Sequence, residues 1–166
     1  MVNIKIDTTA FKNSLPNASS ELKKLMIERV NMATQLVKAK AIEETPSDQG
    51  LLRVNMTANV KVDGNSIVGT IGNTLEYAPY VHQGTGKYAK DGKGRSGYWI
   101  FVKGSSGKKS KKSNRTYSLA EAKKVMAILR KKGLEAYYTN GQKPKPFLEN
   151  AKSKNMVSIK KILGIK

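Results

Sequence analysis

The chain has 166 residues, a length that fits one domain, and 39% of them are hydrophobic, enough for a modest core. The lack of cysteine excludes disulfide scaffolds, zinc fingers and thiol nucleophiles, and a single histidine excludes a multi-histidine metal centre. Lys and Arg number 31 against 12 Asp and Glu, a net charge of +19. No run approaches the roughly 18–20 apolar residues that cross a bilayer. The opening stretch MVNIKIDTTAFKNSL has no long apolar core behind a basic start, so no secretory signal is read and synthesis in a cytoplasm is expected.

Val2, Ile4 and Ile6 alternate as a short strand. Pro16, Asn17, Ser19 and Ser20 then offer a helix start. Leu22, Leu25, Met26, Val30, Ala33, Val37 and Ala41 recur at spacings of three and four, which predicts an amphipathic helix from about Ser20 to Glu44. At about 1.5 Å per residue it would run roughly 37 Å. Pro46 stops it by biasing Thr45 away from helical geometry.

After the turn Asp48-Gln49-Gly50 the period changes to two. Leu52, Val54, Met56, Ala58, Val60 and Val62 alternate with polar residues, as in a half-buried strand. Asp63-Gly64-Asn65 predicts a hairpin turn, with Ile67–Gly72 returning antiparallel. Tyr77–Val81 reads as a third strand, which Pro79 places at an edge or starts after a bulge. A short strand is expected at Tyr98–Lys103. Ser118-Leu119-Ala120-Glu121 is a capping box that opens a second helix, and Gly133 ends it. Leu134–Thr139 suggests another strand, and Pro146 opens a last helix carrying Phe147, Leu148, Ala151, Val157 and Leu163. The expected fold class is α+β: a long N-terminal helix packed on a small antiparallel sheet, with a second and a C-terminal helix.

Charge is unevenly distributed along this frame. Residues 1–85 carry a net +1 and residues 86–166 a net +18. Seven of the 14 glycines fall between Gly84 and Gly107. A segment both Gly-rich and self-repelling buries too little apolar surface to offset its ordering entropy. Residues 86–115 are therefore expected to form a flexible basic insertion arm within a single domain spanning 1–166. Its cations Lys87, Lys90, Lys93, Arg95, Lys108, Lys109, Lys111, Lys112 and Arg115 are the candidate contacts to DNA or to an acidic partner. Tyr88, Tyr98 and Trp99 are interleaved with them and could stack on bases.

Catalytic chemistry finds little support. His82 is the one near-neutral base, and no second histidine or acidic cluster lies near it in sequence. Gly107-Lys108 and Gly84-Thr85-Gly86-Lys87 fall short of a phosphate-binding loop and open no predicted helix. Ser20-Glu21-Leu22-Lys23 has the spacing of a Ser/Lys pair, but serine there is a helix cap. No enzyme, cofactor or metal is expected.

Three stretches, in order, resemble a known family. Thr45-Pro46-Ser47-Asp48-Gln49-Gly50-Leu51-Leu52-Arg53 resembles its turn from helix into sheet, Tyr77-Ala78-Pro79-Tyr80-Val81-His82-Gln83-Gly84-Thr85 its central strand, and Pro144–Ala151 its closing helix start. The family is the tail-completion, or head–tail joining, protein of tailed bacteriophages, also called neck or minor capsid protein. His82 and Gln83 stand where an acidic and an aromatic residue are common in it. The resemblance implies an α+β virion subunit without an active site, at the head–tail junction. Such subunits form rings, usually of six copies, between the head connector and the tail tube or terminator, around the channel that DNA passes. By position, Pro46, Asp48, Gly50 and Leu52 would set the helix-to-sheet corner. Tyr80, Val81, Gly84 and Thr85 would set the central strand and its exit, and Pro146, Phe147 and Leu148 would anchor the last helix. The alternative from composition alone is a stand-alone nucleic-acid-binding module. A third option is a basic hydrolase using His82.

Overall fold

The computed structural model describes residues 3–6, 20–48, 50–64, 66–104 and 115–165. The chain divides into two compact units: Met1–His82 with Lys145–Lys166, and Gln83–Pro144. The second is thus spliced into the first between two neighbouring points of its chain.

The first unit is a helix-on-sheet layer. Strand β1 (Asn3–Ile6) is followed by helix α1 (Ser20–Glu44), a one-turn helix α2 (Leu51–Val54), and strands β2 (Met56–Asp63) and β3 (Ser66–Asn73). The three strands form an antiparallel sheet in the order β1-β3-β2. Asp63 pairs with Ser66, so the hairpin loop has two residues, and Gly64 takes φ +56° there as the sequence predicts. Helix α3 (Ala78–Gln83) follows. The last helix starts after Pro146 but breaks in two, α5 (Phe147–Lys154) and α6 (Met156–Leu163). At the break, Asn155 Nδ2 donates to the Ala151 carbonyl at 2.8 Å, and the Asn155 carbonyl accepts from Ile159 N–H to open α6. The side chain thus satisfies one orphan carbonyl at a helix end.

The core lies between α1, the sheet and α5–α6. Val30, Ala33, Val37 and Ala41 of α1 meet Met56, Ile67 and Ile71 of the sheet and Phe147, Leu148, Ala151, Ile159 and Leu163 of the last helices. The predicted stripe of α1 therefore forms the core from Val30 onward, whereas Leu22 and Leu25 in its first turns stay 41% and 43% exposed. The closest approach is at Gly69 of β3. A Cβ there would collide with Thr34 Oγ1 and sit 3.4 Å from Val30 Cγ1. Thr34 is fully buried in α1 and donates its hydroxyl to the Val30 carbonyl at 2.6 Å, so it adds no unsatisfied group at this crossing.

In the second unit, strand β4 (Trp99–Val102) pairs antiparallel with β5 (Ala136–Thr139) as a separate two-stranded sheet, and helix α4 (Leu119–Lys131) packs on both. The capping box is formed: the Ser118 hydroxyl accepts from Glu121 N–H, and the Glu121 carboxylate accepts from Ser118 N–H at 2.8 Å. That backbone hydrogen bond is the main reason the Glu121 carboxyl is held below its ordinary value. Gly133, at φ +77°, ends the helix. Of the stretch 86–115, residues 86–104 and 115 are described. They hold a 3-10 turn at Gly86–Tyr88, then β4, and Tyr98 bridges to Tyr117 just beyond. Lys108, Lys109, Lys111 and Lys112 lie outside the described residues.

Two local expectations are corrected. Tyr77–Val81 is not a strand. Tyr80 N–H and Val81 N–H both donate to the Tyr77 carbonyl, which opens α3, and Pro79 sits in its first turn, where a missing N–H costs nothing. The strand predicted from Leu52 begins only at Met56, because Gly50 at φ +76° starts a helical turn that takes up Leu52 and Val54.

Replacing Gly69 with valine is expected to destabilise the fold by about 1–3 kcal/mol through overpacking against α1. Phe147→Ala should cost about 3–5 kcal/mol by opening a cavity. Urea unfolding followed by circular dichroism measures both. The depressed Glu121 carboxyl contributes stability above its unfolded value that disappears as pH falls through the carboxylate range. Glu121→Gln should remove that pH-dependent increment, whereas Ser118→Ala, which keeps the backbone N–H, should only reduce it, read from thermal midpoints across an acid titration.

Candidate assembly surfaces

The corner between α1 and the sheet is built by backbone groups and a few side chains that satisfy them. Thr45 is buried, and its hydroxyl donates to the Ala41 carbonyl at 2.5 Å, closing the helix end. The Thr45 carbonyl in turn accepts both Arg53 Nε–H at 3.1 Å and Arg53 Nη2–H at 3.0 Å, a two-pronged clamp from α2 back to the end of α1. Gly50 supplies the left-handed residue from which α2 starts, and its carbonyl accepts from Arg53 N–H and Val54 N–H. Leu52 drops into the core at 7% exposure. Pro46 is half-buried and Asp48 exposed beside them.

Asn73 locks this corner to the end of β3. It is fully buried, donates from Nδ2 to the Leu52 carbonyl at 2.6 Å, and accepts Leu75 N–H at Oδ1 at 3.0 Å. Thr74 N–H donates to the Asn55 carbonyl alongside. Sequence reading placed Thr45 and Arg53 in the helix-to-sheet motif without giving either a role, and missed Asn73. The available signal was an asparagine and two polar residues where the apolar alternation of β3 stops, and such residues favour local side-chain-to-backbone bonds.

Several apolar side chains around the corner are exposed. Val54 is 82% exposed and Tyr80 62%, with Leu51 and Tyr77 also exposed. Leu51 and Val54 lie three residues apart on α2, as do Tyr77 and Tyr80 at the start of α3, so each pair shares a helical face. Next along α3, Val81 packs on the core, and its carbonyl accepts from Lys145 N–H at 3.0 Å. That bond brings the chain back to the first unit immediately before Pro146, Phe147 and Leu148, the latter two fully buried or nearly so. His82 is also buried, with its ring edge-on to Phe147 at 5.1 Å between centroids. This is a core packing position.

Gly84 and Thr85 belong to the second unit, where they close its two ends together. Thr85 N–H donates to the Gln142 carbonyl at 2.9 Å, and Thr85 Oγ1 accepts from Gln142 N–H at 3.0 Å. Gly84 has φ +78°, and a Cβ there would lie 2.8 Å from the carbonyl oxygens of Gln142 and Tyr88. The candidate cations of this unit are solvent-accessible: Lys87, Lys90, Lys93 and Arg115 are exposed, and Arg95 is half-buried over the Trp99 ring at 5.3 Å.

Gly50→Ala is expected to cost about 1–2 kcal/mol, from backbone strain alone, since nothing lies within 4 Å of the added methyl. Gly84→Ala should cost more, because strain and the clash with two carbonyls add. Asn73→Ala should destabilise by at least about 1–3 kcal/mol, the usual penalty for one buried backbone group losing its partner. Chemical denaturation of the three variants gives the comparison directly.

Residues 9–84 match the model of the HK97-gp10-like family, described as "Bacteriophage HK97-gp10, putative tail-component". No curated protein and no solved structure gives a significant match. The matched stretch contains α1, the corner, the β2–β3 hairpin and α3, and ends at Gly84. This stretch is therefore similar to a phage tail-component family, which fits the tail-completion resemblance of the motifs at residues 45–53 and 77–85.

Proposed function

We propose that this protein is a structural virion subunit that completes the phage tail and joins it to the head connector, as a ring around the DNA channel. The observation that carries the reading is the family match across α1, the corner and the hairpin. In this reading the protein has no catalytic role and works in the virion at the head–tail junction after synthesis in the host cytoplasm. Six copies are favoured, with the head connector on one side and the tail tube or terminator on the other. Pro46, Asp48, Gly50 and Leu52 hold the corner in shape, and Pro146, Phe147 and Leu148 anchor the last helices under it. Tyr80 and Val54, apolar and open to solvent, are the proposed subunit contacts, because burying them in a ring interface removes apolar surface from water.

Rings of identical subunits use head-to-tail interfaces that close on themselves. Six copies would bring together a charge of about +114, which repels itself unless acidic partners or DNA offset it. Assembly is thus expected to depend on ionic strength or on a partner.

Mass photometry of the purified protein, alone and mixed with the connector and tail-tube proteins of the same phage, tests this. A species of about six subunits is expected in at least one mixture. Val54→Glu and Tyr80→Glu should abolish it while leaving the thermal midpoint of the subunit almost unchanged. A monomer under every condition would contradict the ring.

A further inference from the structure

The second unit holds a feature that ring assembly does not use. Residues 83–144 contain 16 Lys and Arg against three Asp and Glu, a net of +13 of the chain's +19. Within it, β4 and β5 place Trp99 opposite Thr139, Phe101 opposite Tyr137 and Val102 opposite Ala136. Side chains alternate between faces, so Val102 and Ala136 share one face while Trp99, Phe101 and Tyr137 share the other. Ala136 is fully buried, on the pair against which α4 packs. Phe101 and Tyr137 are 48% and 38% exposed.

These two rings stack on each other, with centroids 5.5 Å apart and planes 24° from parallel. Arg130 lies over Tyr137 at 5.2 Å and is fixed there by donating from Nε to the Ala136 carbonyl at 2.9 Å. Arg95 lies over Trp99 on the same face. Lys103 also stands on it, 72% exposed and in a loose pair with Glu135 at 3.9 Å, the one acid of this face. Two exposed rings stacked on each other, with the fixed Arg130 guanidinium over Tyr137 and Arg95 over the neighbouring Trp99, form a platform that lengthens by stacking one more flat group.

We infer that this face binds single-stranded nucleic acid, with an unpaired base stacking on Phe101 and Tyr137 and phosphates held by Arg95, Arg130 and Lys103. Charge complementarity selects a polyanion. The aromatic faces select a strand whose bases are free, because the bases of a duplex are stacked on one another and unavailable. An acidic peptide would meet the cations but has no flat groups to add to the stack. This inference does not rest on the tail assignment and stands or falls separately from it.

The test is fluorescence anisotropy of the full-length protein with labelled oligo-dT and oligo-U of about 15 nucleotides and a mixed-sequence duplex of equal length, between 50 and 300 mM salt. Binding should favour the single strands over the duplex and weaken steeply with salt, and preference between the two single strands reports contact with the 2′-hydroxyl. Phe101→Ala and Tyr137→Ala should each weaken single-strand binding by about 5- to 100-fold. Phe101→Trp should retain it and Phe101→Leu should not, while circular dichroism shows all four folded. Quenching of Trp99, the sole tryptophan, should accompany binding. Absence of single-strand binding at 50 mM salt overturns the inference. So does equal or better duplex binding that Phe101→Ala leaves unchanged, because that marks bare charge attraction.

Discussion

The first unit depends on how closely α1 can approach β3. At Gly69 the absence of a side chain lets Thr34 sit directly on the strand backbone. With the helix at that depth, Val30 and Val37 reach Ile67 and Ile71, and the opposite flank of α1 meets α5 and α6. A larger residue at 69 would lift the helix from the sheet and loosen contacts along its length, since packed interiors transmit volume changes. The corner then follows from where α1 ends: Thr45 turns the chain, Arg53 clamps its carbonyl, and Asn73 ties the turn to the last residue of β3.

The same unit explains how a strongly basic module is carried without disturbing the core. The chain leaves after His82 and returns at Lys145, and the bond from Lys145 N–H to the Val81 carbonyl holds the departing and returning strands together. The module itself is closed at its base by the reciprocal Thr85–Gln142 pair. Charge segregates with this division, so self-repulsion among lysines is concentrated where few apolar contacts are needed. The phage tail-component match covers α1, the corner, the hairpin and α3 of the first unit.

Elements governed by local rules were legible in the sequence. The spacing of Val30, Ala33, Val37 and Ala41 marks the buried face of α1, Pro46 its end, and Ser118 with Glu121 the start of α4. The hairpin at Gly64 follows from turn chemistry. What was not legible depends on partners far along the chain. Leu52 and Val54 continue the alternation of β2, yet the bond from Asn73, 21 residues away, fixes them in a helical turn and leaves Val54 in solvent. Pro79 suits an edge strand or a helical first turn equally, and the carbonyl of Tyr77 decides for the helix. The pairing of Trp99–Val102 with Ala136–Thr139, rather than with the main sheet, has no signature in either segment alone. The basic stretch with its aromatics was visible as composition, but the exposure of Val54 and Tyr80 was not, and the cross-strand stack of Phe101 on Tyr137 needs the register.

In the proposed role the protein joins two preformed assemblies, heads and tails. In vitro complementation measures it most directly: phage carrying a nonsense mutation in this gene are grown without suppression, and the purified protein is added to the lysate. The account predicts filled heads and separate tails before addition, and joined, infectious particles afterwards. Infectious particles of normal form in the absence of the protein would contradict it.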